Sequence, residues 1–153
     1  MVKDFTTKAV TVLAVVAIAS LSVPASAAMG EAWVEFYDGI GGGNIADLTG
    51  NAAYPDSPSA AQLITGVLES PTNRADSYGL RCQGYLHATE TGEHTFFIAT
   101  DDAGEFWLSP DDNPASAVLV AVTNGWAGSR DWTNGNVVPG TATLTSGHRY
   151  YFL

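Results

Sequence analysis

Between Tyr78 and Ala88 the side chains alternate, with Leu80, Cys82, Gly84 and Leu86 interleaved with Arg81, Gln83, Tyr85 and His87. A period of two sends successive side chains to opposite faces of an extended chain and cannot line one face of a helix. Similar short stretches recur between clusters of Gly, Asn, Asp and Pro. They are Trp33 to Tyr37, His94 to Thr100, Glu105 to Leu108 and Ala117 to Val122, with Thr141 to Leu144 and His148 to Leu153 as a last hairpin around Thr145-Ser146-Gly147. Helical signal is thin. Ser59 to Ser70 has room for a turn or two, but Gly66 and the β-branched Ile64, Thr65 and Val67 weaken it. Many short strands at this spacing predict an all-β fold, an antiparallel β-sandwich with long loops at Asp38 to Pro58 and Thr123 to Gly140. The apolar run Tyr150 to Leu153 has no turn after it, so the last strand or strands of the domain are expected beyond Leu153.

The first residues follow a different pattern. Lys3 and Lys8 precede an apolar run from Ala9 to Val23, then Pro24 and Ala25-Ser26-Ala27. Basic, apolar and small, in that order, marks a secretory signal. The run is 15 residues long, short of the roughly 20 that a spanning helix needs. The expected division is a signal peptide at 1–27 and one domain at 28–153, exported to the cell exterior or surface without membrane insertion. Beyond Ala27 no lysine remains, and four arginines against fifteen carboxylates leave a net charge of −11. Such a surface repels nucleic acid and anionic lipid, which both require basic patches. It equally suits simple solubility. The single cysteine, Cys82, excludes an internal disulfide and reads as a small buried apolar residue.

Catalytic templates are absent. There is no Gly-x-Ser-x-Gly elbow and no His-Glu-x-x-His helix, and the glycines from Gly39 to Asn44 lack the Lys-Ser/Thr ending of a phosphate loop. The chain is expected not to be an enzyme. His87 and His94 flank the turn Glu90-Thr91-Gly92-Glu93 and would face each other across a hairpin, a two-histidine arrangement that lacks zinc's remaining ligands. Asp101-Asp102 offers two hard carboxylates at a strand end, either a calcium site or plain turn chemistry. Trp126 and Trp132, in a loop with Asn124, Ser129, Arg130 and Asp131, either stack on sugar rings or cover the open end of the sandwich. Trp107, inside a strand, reads as core, and Asp111-Asp112-Asn113-Pro114 reads as a turn.

The run Gly84-Tyr85-Leu86, Thr91 to Phe96 and Ala99-Thr100-Asp101-Asp102-Ala103-Gly104-Glu105-Phe106-Trp107-Leu108-Ser109 resembles the anthrax protective-antigen domain family (the PA-fourteen type). Leu68 to Asn73, Ala75 to Gly79, Gly125-Trp126, Ser129 to Trp132 and Ser146 to Tyr151 are similar to it as well. That resemblance implies a β-sandwich accessory module of secreted proteins that binds carbohydrate, a glycan or polysaccharide. In the yeast adhesin branch the adjacent aspartates hold calcium and, through it, a sugar; the carry-over falls on Asp101 and Asp102, with Asn124, Asn134 and Asn136 as candidates for further ligands. The competing expectation is a structural or protein-interaction spacer of a cell-surface protein with no sugar bound.

Overall fold

The computed structural model describes residues 31–153, so the signal-peptide reading of 1–27 lies outside the described residues. The described chain is all-β, with two antiparallel sheets of seven and two strands. Its strands are β1 (Glu31–Asp38), β2 (Ala60–Thr65), β3 (Tyr78–His87), β4 (Gly92–Phe96), β5 (Ala103–Leu108), β6 (Val118–Asn124), β7 (Val137–Val138), β8 (Gly140–Leu144) and β9 (Arg149–Phe152). A five-residue helix, α1 (Ile45–Thr49), interrupts the first long loop. The large sheet runs β2-β1-β3-β9-β5-β6-β7, and β4 pairs with β8 in the small one. Among the described residues no helix is long and apolar enough to cross a membrane.

The alternation read from the sequence decides which face is buried. Val34 stands opposite Cys82 and Phe36 opposite Leu80; Gly84 stands opposite Phe152 and Leu86 opposite Tyr150. These side chains make the inner face of the large sheet. The small sheet covers its β9-β5-β6 part: Phe96 of β4 stacks on Phe106 with ring centroids 5.1 Å apart, and Phe106 stacks on Phe152 at 6.2 Å. Leu144 of β8 and Leu108 of β5 are buried in the same cluster. β8 crosses β6 so closely that a Cβ at Gly140 would strike the Val120 carbonyl, which only glycine avoids. Burial of Cys82 beneath the sheet pushes its thiol up to about 11, consistent with an inert apolar residue.

Four local expectations are corrected. Ser59 to Ser70 does not make a helical turn. Residues 60–65 form β2, because their β-branched members fit the free edge of β1, and Gly66 at φ +91° ends the strand. His87 and His94 do not meet across a hairpin. β3 and β4 belong to different sheets, so His87 stands opposite Arg149 and His94 opposite Ala142. Likewise the segment around Thr145-Ser146-Gly147 joins β8 in the small sheet to β9 in the large one, a crossover between layers rather than a hairpin. Trp107 is also not core. It lies half-buried on the outer face of β5, one residue after a register shift, with Nε1 donating to Glu105 Oε2 at 2.9 Å.

Candidate functional site

Asp101 and Asp102 form the bend that enters β5, are exposed, and are joined by a cis peptide. Three segments converge on this bend. From the first long loop, the Gly43 carbonyl accepts from Ala103 N at 3.1 Å, and a Cβ on Gly43 would lie 2.6 Å from Asp102 Oδ2. The lack of a side chain at Gly43 is therefore what lets the Asp102 carboxylate sit against that loop. From the preceding segment, Thr100 Oγ1 donates to the Asp102 carbonyl at 2.7 Å. From the loop after β6, Ala127 N donates to the Thr100 carbonyl at 2.8 Å. Asn124 stands directly opposite Ala103 in the β5–β6 ladder and is exposed. The sequence marked Gly43 only as part of a flexible run; its contact with Asp102 spans nearly sixty residues and leaves no local signal.

The glycine run owes its shape to α1. Asp47 Oδ2 accepts from the Asn44 backbone at 2.9 Å, closing the helix start and fixing the loop that reaches Asp102. The phosphate-loop alternative has no helix to serve it beyond these five residues.

Electrostatics separates Asp101 and Asp102 from the arginine-paired acids. All four described arginines are committed. Arg74 pairs with Asp38, Arg81 with Glu35 at 2.5 Å, Arg130 with Glu69 at 2.5 Å and Arg149 with Asp112 at 2.7 Å. Arg74 holds the Asp38 carboxyl below its usual range through its hydrogen bonds. No such partner reaches Asp101 or Asp102, whose side chains make no hydrogen bond or ion pair among the described residues. Two adjacent carboxylates without a counter-charge repel each other and attract a cation. Among the described residues no group of three or more His, Cys, Asp or Glu gathers. A metal here would have two carboxylates, the Asn124 amide, backbone carbonyls and water. That all-oxygen set fits calcium and does not fit zinc, which takes nitrogen and sulfur.

The tryptophan loop is built from its own side chains. Asn136 Nδ2 donates to the Trp126 carbonyl at 2.8 Å, Asn136 N donates to Asn134 Oδ1 at 3.0 Å, and Asn134 Nδ2 approaches Asp131 Oδ2 at 3.4 Å. Both groups of the Asn134 amide are thus engaged inside the loop, whereas Asn136 is engaged through Nδ2 and Asn124 makes no side-chain hydrogen bond among the described residues. Trp126 is 56% exposed beside Ala127, the residue tied to Thr100. Trp132 is 48% exposed and rests on Phe97 with centroids 6.1 Å apart. Neither indole is buried as a plug for the sandwich. A second anchor holds the loop: Ser129 Oγ donates to Glu69 Oε1 at 2.8 Å, and Arg130 donates to Glu69 Oε2 through Nε at 3.1 Å and Nη2 at 2.5 Å. The Arg130 hydrogen bonds, aided by Ser129, hold the Glu69 carboxyl below its usual value.

No family model matches the chain, and no solved structure does. Among curated proteins it is similar to the mouse (Mus musculus) N-acetyl-beta-glucosaminyl-glycoprotein 4-beta-N-acetylgalactosaminyltransferase 1, with 37% identity over 122 residues. The match covers 72% of this chain but only 11% of that enzyme's length. The chain is therefore related, over most of its length, to a small part of a carbohydrate-modifying protein.

Proposed function

We propose that this chain is a non-catalytic, carbohydrate-binding β-sandwich module of protective-antigen type, exported and carried within a larger extracellular protein. Asp101 and Asp102 hold a calcium ion. The ion's remaining positions take vicinal sugar hydroxyls, and Trp126 or Trp132 offers an apolar face to the ring. The observation that carries this reading is the solitary state of the two carboxylates, exposed where three loops meet while every arginine is bound elsewhere. The relative named above supports the sugar half of it, since that protein's name places its substrate among N-acetylglucosaminyl glycoproteins. Its much greater length supports the role of a module.

Calorimetric titration of calcium into the wild type and into Asp101→Ala/Asp102→Ala tests the ion. Binding in the first and none in the second is expected; equal affinity in both would dismiss it. A glycan array run with calcium and with chelator then tests the sugar, and calcium-dependent signal is the expected result.

A further inference from the structure

The outer face of the large sheet carries a second feature, remote from the loops. Across the strands, in register, stand Leu63 on β2, Trp33 on β1 and Gln83 on β3. Gln83 is followed by Leu153, whose backbone exchanges hydrogen bonds with Trp107 of β5 at 2.7 and 3.0 Å, and Trp107 stands opposite Leu119 on β6. This row faces away from the small sheet, because each member alternates with an inner residue such as Val34, Cys82, Phe152 or Phe106. Trp33 is 53% exposed, and Leu63 and Leu119 are exposed at the two ends of the row.

The chemistry of the row is specific. It contains no charged side chain, in a chain whose described part carries many unpaired carboxylates. On the adjoining rows two ion pairs are closed, while the Glu105 carboxylate rests against the Trp107 indole without a cation. Glu35 is bonded to Arg81, which lies under the Tyr54 ring at 5.6 Å, and Arg149 covers Tyr85 at 4.4 Å while pairing with Asp112. The Trp107 Nε1 is satisfied by Glu105, so the indole offers its face rather than its edge. Gln83 Oε1 accepts from Tyr151 OH at 3.0 Å, which leaves its amide hydrogens to donate outward. The two indoles stand three strand spacings apart, roughly 14 Å, too far for one ring to touch both. An aromatic strip with a central donor, and with the Glu105 carboxylate as an acceptor at one end, complements a ligand that is extended, uncharged, apolar on its faces and hydroxylated on its edges.

We infer that this strip is a second, calcium-independent binding site for an extended, uncharged oligosaccharide, with Trp33 and Trp107 stacking on separate sugar units and Gln83 donating to a hydroxyl between them. The probes are cellohexaose and chitohexaose, titrated calorimetrically into the protein in the presence of chelator. Binding of at least one is expected, weakened roughly tenfold by Trp33→Ala and by Trp107→Ala. Trp107→Phe, which keeps a packed ring, should retain most of the affinity, and thermal melting checks that each variant folds. Absence of binding to both probes, or affinity unchanged in Trp33→Ala, overturns the inference. Affinity that requires calcium also overturns it, assigning the sugar to the loop end, whereas loss of calcium binding with the sheet-face affinity intact would remove only the loop site. Self-association in sedimentation that Trp33→Ala abolishes assigns the strip to a second copy of the chain and likewise overturns it.

Discussion

Strand β5 has an aspartate doublet at each end, and the two could hardly be less alike. Asp111-Asp112, after the strand, is consumed by its surroundings. Asp111 Oδ1 accepts from Asn113 N at 2.9 Å and lies 2.9 Å from Ser109 Oγ, while Asp112 Oδ2 accepts from Arg149 at 2.7 Å. Asn113 in turn caps the short turn Pro114–Ser116. Asp101-Asp102, before the strand, is likewise held through its backbone but has no partner for its carboxylates among the described residues. The same dipeptide is turn chemistry at one end and a pair of carboxylates without a partner at the other. Besides the cis peptide within the first doublet, what separates them is a single arginine and a serine around the second.

The sharpest way to break this contrast is to remove each doublet in turn. Asp101→Ala/Asp102→Ala should lower calcium affinity on the order of 100-fold or more, because both charged ligands go; Asp111→Ala/Asp112→Ala should leave that affinity unchanged, and calorimetry separates the two outcomes. Next in size is Gly43→Ala. A methyl there has to displace the Asp102 carboxylate, so calcium affinity should fall by about tenfold and stability by about 1–3 kcal/mol, the usual range for overpacking. Asp111→Ala should cost about 1 kcal/mol in chemical denaturation through its lost turn bonds, without any effect on calcium.

The smallest effect concerns the loop beside the first doublet. Glu69 is held below its ordinary carboxyl value by Arg130 and Ser129, so its contribution is complete above that ordinary value and is lost as pH falls through the lower, folded one. Tryptophan fluorescence from the Trp126–Trp132 loop should therefore change on acidification. Glu69→Gln should flatten that change, and a persistent transition in the variant would assign it elsewhere.

Much of this was legible in the sequence, and the failures share one cause. The period-two run at Tyr78 to His87 specified β3 and which of its faces is buried, and the short strands at β1, β5 and β6 followed from their flanking turns. What local pattern does not encode is which sheet a strand joins. The turn residues at Glu90 to Glu93 and at Thr145 to Gly147 suit a hairpin and a crossover equally well, so both were read as hairpins. Residues 60–65 are a strand because β1 offers an edge, a tertiary effect that overrides weak propensity. At the site, Asp101, Asp102 and the two tryptophans were visible as residue types. That the Asn134 amide is engaged within its own loop was not, since it depends on hydrogen bonds made on folding. The outer-face row was hidden for the same reason, being assembled from five strands and the residue after β9, which are distant in sequence.

The complete commitment of the arginines bears on how this protein meets its surroundings. With every arginine of the described residues neutralised at close range, the long-range field of this part of the molecule has one sign, and approach to a negatively charged polymer or to another copy is opposed at a distance. Added salt shortens that reach to about 10 Å at 0.1 M. Adsorption to an acidic cell envelope should therefore rise, not fall, with ionic strength, the reverse of a surface that grips by basic patches.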